Sequence, residues 1–219
     1  MKLGVLLPTF RSTPNDALEF AREAQDAGLD GVFAYDHLWP MGQRERPALA
    51  PLPVLARVST LCSDLVVGTL VSRIGLYGAQ KVIEQFNTLA DIAPERVICG
   101  LGLGDKLSKE ENDAYGIAVA PIEERTRELA DVASSLRARM PVWLGAGSHV
   151  TPELARKLQV TLNYWQVVPE VSESVEWTWA GNADDDVSRQ LDELDERGAQ
   201  WAVFTPSVKI SQLKEWRSH

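Results

Sequence analysis

The sequence predicts an α/β protein, a (β/α)8 TIM-type barrel that is shortened, with the region of its sixth helix largely deleted. Three observations carry this. Short, continuously apolar runs of strand type alternate with helically spaced segments from end to end, the pattern of a parallel sheet covered by helices. Sharing 219 residues among eight strand–helix units leaves about 27 for each, against about 31 in a barrel of ~250 residues, so eight units fit only if something is missing. The shortfall can be placed, because the stretch 166–174, with Pro169, is too short for a crossover helix. A single domain covering 1–219 is expected.

Taken in order, the first strand is read at 3–7. The first helix carries Ala17, Leu18, Ala21 and Ala24, with Thr13 as N-cap and Pro14 at the first helical position; it ends at Ala27-Gly28, where glycine suits a left-handed cap. A strand at 31–35 precedes the helical stripe Val54, Leu55, Val58, Leu61, Cys62, and a strand at 65–70 precedes Val82, Ile83, Phe86, Leu89, Ala90. The fourth strand, 96–101, leads to the stripe Leu129, Val132, Ala133, Leu136, and the fifth, 141–144, to a helix start at Thr151-Pro152. The sixth strand is 161–165, a seventh is possible at 175–179, a helix follows over 184–197, and the last strand is 201–205. An open dinucleotide-binding sheet fits less well. Pro8-Thr9-Phe10 follows the first strand without a glycine, Gly100, Gly102 and Gly104 merely alternate, and Val150 stands where the third glycine of a fingerprint beginning at Gly145 belongs.

Composition removes several function classes. With 31 acidic and 22 basic residues the chain carries −9, a surface that repels nucleic acid. The apolar run at 3–7 is too short for a signal-peptide core, and no window approaches the ~18 apolar residues of a membrane span. Cys62 and Cys99 lie far apart in apolar stretches and read as buried thiols of a reducing, cytoplasmic compartment. No His/Cys/carboxylate cluster has the spacing of metal ligands.

In a parallel barrel the chemistry gathers where the βα loops converge, past the carboxyl ends of the strands. Five such loops hold candidates. Asp36, His37 and Trp39 follow the second strand, Ser72 and Arg73 the third, and Asp105 the fourth. Gly145, Ala146, Gly147 and Ser148 follow the fifth, and Asn163, Tyr164 and Trp165 close the sixth. His37 can exchange a proton at working pH, or it is a structural histidine at a strand end. Asp105 reads as a catalytic carboxylate or as a surface one beside Lys106, and Trp39 as a pocket wall or as packing for the long loop running to Pro53. Residues 145–148 are either an ordinary glycine turn or a site where main-chain N–H groups and a helix start accept an anion.

Two stretches, Val67-Gly68-Thr69-Leu70-Val71-Ser72-Arg73 and Gln85-Phe86-Asn87-Thr88-Leu89-Ala90-Asp91-Ile92-Ala93-Pro94-Glu95-Arg96 running into Gly100-Leu101-Gly102-Leu103-Gly104, resemble the bacterial-luciferase-like family. Leu3-Gly4-Val5-Leu6-Leu7-Pro8, Asp36-His37-Leu38-Trp39, Pro141-Val142-Trp143-Leu144-Gly145 and Gly198-Ala199-Gln200-Trp201 look like its other landmarks in order. The resemblance implies an oxidoreductase that moves hydride between a 5-deazaflavin coenzyme (F-420) and a small organic substrate. The alternatives are an FMN-dependent monooxygenase, or a barrel that has lost its cofactor site. By the same resemblance Asp36 would contact the deazaflavin, His37 would face the reacting centre and Asp105 would assist proton transfer. A non-proline cis peptide at Leu70-Val71 would support the ring, residues 145–148 would hold the cofactor phosphate, and Trp39 would wall the substrate. Asn163-Tyr164-Trp165 departs from the family's Asp-Gly-Trp. A homodimer is also implied; Val175, Trp177 and Trp179, on one side of the possible strand, read either as core or as its contact.

Overall fold

The computed structural model describes residues 1–104, 108–170 and 175–218. Asp105 and His219 therefore lie outside the described residues.

The chain closes a parallel barrel. Its strands are β1 (Lys2–Leu6), β2 (Gly31–Ala34), β3 (Val66–Thr69), β4 (Ser72–Arg73), β5 (Val97–Gly102), β6 (Val142–Gly145), β7 (Thr161–Trp165), β8 (Trp177–Gly181) and β9 (Trp201–Phe204). They run in the order β3-β2-β1-β9-β8-β7-β6-β5-β4, and β3 pairs with β5 to complete the ring. β3 and β4 are two parts of one barrel strand, so the barrel has eight staves. The connections carry α1 (Asn15–Asp26), α2 (Pro51–Leu61), α3 (Ile74–Tyr77), α4 (Ala79–Ile92), α5 (Lys109–Ala114), α6 (Ile122–Leu136), α7 (Thr151–Leu158), α8 (Val187–Glu196) and α9 (Ile210–Arg217). Among the described residues no helix lies between β7 and β8, where the sequence locates the deletion. None of the described helices is long and apolar enough to cross a membrane.

Two boundaries differ from the expectation. α1 begins at Asn15, with Pro14 in the cap position and no side-chain cap, because the turn preceding it is held by main-chain bonds and by Arg11 on Asp16. β8 is two residues later than 175–179, since its ladder is set by Leu162 opposite Trp177 and Trp179 opposite Ala202. Gly28 ends α1 at φ 76°, the left-handed geometry that glycine adopts without a Cβ penalty.

The core has two compartments, as a barrel requires. Outside the staves, Leu3, Val5, Val32, Val67, Cys99 and Leu144 pack against Ala21, Leu55, Phe86 and Leu129 of the helices. Inside, Leu6, Phe33, Leu70, Ile98, Trp143, Trp201 and Val203 fill the lumen. Phe33 stacks on Trp143 at 5.1 Å and meets Trp201 edge-on at 5.6 Å. These side chains occupy the lumen, and in a barrel of this kind the site lies at the strand carboxyl ends.

The surface that a helix would cover after β7 is filled from within. Trp177 and Trp179 are both about 95% buried in the outer compartment, and Tyr164 lies edge-on to Trp177 at 6.2 Å. Arg197 donates to the Pro169 carbonyl. Trp177 and Trp179 are thus core within one chain, and the reading of them as a dimer contact is corrected: their surface is already covered.

Two of the alternating glycines, Gly100 and Gly102, serve close approach. A Cβ on Gly100 would lie 1.9 Å from the Thr69 carbonyl oxygen, and one on Gly102 would lie 2.5 Å from Val71 Cγ2. Thr69 Oγ1 donates to the Gly100 carbonyl at 2.7 Å across the same seam. Gly102→Ala is expected to cost about 1–3 kcal/mol by overpacking Val71, read as a lower denaturant midpoint.

Candidate functional site

The mouth is built on the end of β2 and on the break between β3 and β4. Past Ala34 the chain leaves the ladder, and Tyr35, Asp36 and His37 rise above the lumen. The Leu70–Val71 peptide is cis, at the position that the family resemblance implies. Leu70 belongs to the lumen cluster and Val71 packs against it, so this peptide roofs the aromatic filling.

Four charged or titratable side chains meet at one corner. Arg73 Nε donates to Asp36 Oδ1 at 3.0 Å, its Nη2 donates to the Asp36 carbonyl at 2.9 Å, and its main-chain N–H donates to Asp36 Oδ2. Both oxygens of Asp36 are thereby occupied, and its side chain is 2% exposed. Burial pushes the Asp36 carboxyl above its ordinary range, while the guanidinium and the hydrogen bonds from Arg73 work in the opposite direction. On the far side, Arg73 Nη1 lies 2.7 Å from Glu111 Oε2. This is an ion pair at an angle unsuited to hydrogen bonding, so both atoms remain buried without a hydrogen-bond partner. Glu111 Oε1 lies 3.0 Å from His37 Nδ1. A row of alternating groups, Asp36–Arg73–Glu111–His37, results. Its inner three members are 2–7% exposed and His37 is 25% exposed.

Aromatic rings line the rest of the rim. Phe10 stacks on Tyr35 at 5.5 Å, and Tyr35 meets Trp165 edge-on at 6.1 Å and His37 at 6.4 Å. Burial raises the Tyr35 hydroxyl well above its usual range, so it stays protonated. Trp39 is 5% exposed, lies 6.0 Å from Tyr115 and has the Arg44 guanidinium over its face. Trp165 is 45% exposed.

The structure brings His37, Asp36, Leu70 and Val71 to one end of the barrel, with Trp39 buried in the loop beside them. It turns the Asp36 carboxylate inward onto Arg73 instead of presenting it to the mouth. Tyr164 points away from the mouth, onto Trp177 in the outer compartment, so its departure from glycine adds no bulk where a guest would sit. Residues 145–148 form the exit of β6. Ala146 donates its N–H to the Asn163 carbonyl, whereas the amides of Gly147 and Ser148 find no acceptor among the described residues. Ser148 instead accepts from Thr151, through its carbonyl, at the start of α7. Arg73 and Glu111 carry no assigned role in the sequence reading. Arg73 stood among the loop residues, whereas Glu111, within the charged run Lys109-Glu110-Glu111-Asn112-Asp113, is not singled out there.

These features test the residues against a deazaflavin or flavin. An apolar roof at Leu70–Val71, a half-exposed indole at Trp165 and unpartnered amides at Gly147 and Ser148 match a flat ring system joined to an anionic group, so the residues fit. Among the described residues no group of three or more His, Cys, Asp or Glu side chains is placed to hold a metal ion.

Comparison with known proteins agrees with the geometry. The sequence pattern of the luciferase-like monooxygenase family matches residues 1–171. An F420-dependent glucose-6-phosphate dehydrogenase of Kineococcus radiotolerans is 29% identical over 138 residues, covering 63% of this chain and 40% of that protein. An F420-dependent hydroxymycolic acid dehydrogenase of Mycobacterium tuberculosis is 33% identical over 116 residues, covering 52% and 32%. The chain thus spans about a third to two fifths of the length of these curated relatives. The solved structure of an F420-dependent secondary alcohol dehydrogenase with an F420–acetone adduct superposes with a TM-score of 0.78 at 13% identity, covering 98% of this chain and 97% of that one; this establishes the fold.

Proposed function

The chain belongs to the luciferase-like monooxygenase family, and from that premise we propose that it is an oxidoreductase transferring hydride between a 5-deazaflavin coenzyme and a small organic substrate. The observation that carries this reading is His37, gripped at Nδ1 by a buried carboxylate and a quarter exposed at the barrel mouth. A bound deazaflavin supplies the two-electron chemistry. The chain's own groups do the rest. Leu70 and Val71 would hold its ring system, and the amides of Gly147 and Ser148 would receive its anionic group. Trp165 and the Phe10–Tyr35 stack bound the space above. His37 accepts a substrate proton at Nε2 when hydride leaves, or returns it in the reverse direction. Asp36 contributes by holding Arg73, and Trp39 by shaping the substrate wall from behind. Asp105 belongs to the same proposal as a proton-handling carboxylate.

The curated relatives support the deazaflavin over FMN, since those matched are named for the former. Calorimetric titration with each coenzyme decides. Micromolar binding of the deazaflavin with FMN at least tenfold weaker (about 1.4 kcal/mol) is the expected result. The opposite preference moves the chain to the monooxygenase reading, and no binding of either makes it a barrel without a cofactor. A homodimer and a cytoplasmic setting are part of the same reading; the unpaired, buried Cys62 and Cys99 support the second.

The anion role of residues 145–148 has its own test. A Cβ at Gly147 meets nothing within 4 Å, so Gly147→Asp is expected to fold as the parent does. Its carboxylate would weaken coenzyme binding at least tenfold with an unchanged melting temperature, and parental affinity would remove these amides from the site.

A further inference from the structure

We infer that Glu111, backed by Arg73, is a positioning residue that fixes the tautomer and ring orientation of His37, so that neutral His37 carries its proton on Nδ1 and presents Nε2 as the acceptor at the mouth. The inference rests on the reading of His37 as the proton-carrying group and adds what makes it one. An ionised carboxylate can only accept a hydrogen bond, so the ring nitrogen 3.0 Å from Glu111 Oε1 must hold the hydrogen. Nε2 has no partner among the described residues.

The carboxylate cannot simply swing away. It is 3% exposed, and its second oxygen faces Arg73 Nη1 at 2.7 Å. Arg73 is in turn fixed by three donations to Asp36. The row therefore runs from a rigid strand end to a movable imidazole, each link orienting the next. It also explains why two buried polar atoms, Arg73 Nη1 and Glu111 Oε2, are left without hydrogen-bond partners. The angle at which they meet is set by the demands of Asp36 on one side and His37 on the other. A purely structural ion pair would be complete with Arg73 and would not need to reach a partly exposed ring 74 residues away in sequence.

The test is nitrogen-15 NMR of the imidazoles in coenzyme-free protein near pH 8.5, about two units above the ordinary imidazole pKa. The His37 signals are assigned by their loss in His37→Asn. The parent protein should show Nδ1 protonated and Nε2 bare. Glu111→Met, which keeps the volume and removes the acceptor, should shift the population mainly to the Nε2–H form that an unconstrained imidazole in water prefers. A parent His37 already protonated at Nε2 overturns the inference whether or not the variant folds. A folded Glu111→Met protein that keeps the Nδ1–H form overturns it as well. Because no coenzyme is present, failure of the redox reading appears separately, as absent binding in the coenzyme titrations, and leaves this result standing.

Discussion

Replacing Arg73 with alanine is expected to lower the unfolding free energy by about 3–5 kcal/mol, the cost of stranding buried charge. Arg73 is 7% exposed and stands between Asp36 and Glu111, at 2% and 3%. Removing it leaves two carboxylates facing each other with no cation between them. At roughly 2–4 °C per kcal/mol for a chain of this size, the melting temperature should fall by about 10 °C. The deficit should shrink on acidification. Burial already raises the Asp36 pKa in the folded protein, and Arg73 is what restrains that rise. A carboxyl whose folded pKa lies above its unfolded value binds more protons folded than unfolded, so its contribution to stability falls as pH rises through that interval. Without Arg73 the interval widens, and the variant gains relative stability as pH drops toward the ordinary carboxylate range. Melting curves at pH 7 and pH 5 read both effects. A loss under 1 kcal/mol at neutral pH, or one independent of pH, would show that the row contributes little to the fold.

His37→Ala is expected to reduce turnover by about 10²–10⁴-fold, the usual contribution of a positioned acid–base group. Coenzyme affinity should stay within a few-fold, since the proposal assigns the hold on the ring to Leu70, Val71 and the amides after β6. Stability should change little, because His37 is a quarter exposed and Glu111 keeps its contact with Arg73. Single-turnover reduction of the coenzyme separates the terms. Unchanged turnover would move proton transfer to another group, whereas lost coenzyme binding would make His37 part of the cradle.

The barrel was legible because its staves are buried on both faces and so read as continuous apolar runs, unlike the alternating strands of an open antiparallel sheet. β7 lies where the sequence puts it, and among the described residues no helix falls in the predicted gap. β8 was read two residues early because Val175 and Glu176 sit in the same apolar neighbourhood, and only pairing with β7 and β9 fixes the register. α3, α5 and α9 are too short or too polar to give a stripe. His37 and Asp36 were visible from their position after a strand. Their partners were only half visible. Arg73 pairs with Asp36 from 37 residues away, and Glu111 comes from a charge run on a six-residue helix. What singles out Glu111 from Glu110 beside it is burial alone, a property of the folded chain.

The distribution of indoles gives the protein a built-in optical reporter. Of its seven tryptophans, Trp39, Trp143, Trp177, Trp179 and Trp201 are sealed from solvent and Trp216 is half-covered on α9, leaving Trp165 alone with nearly half its surface in water. Red-shifted emission and collisional quenching by small aqueous solutes will come chiefly from that one ring. It stands at the rim beside Tyr35, so a tenant in the mouth would shield it while the sealed rings emit a constant background.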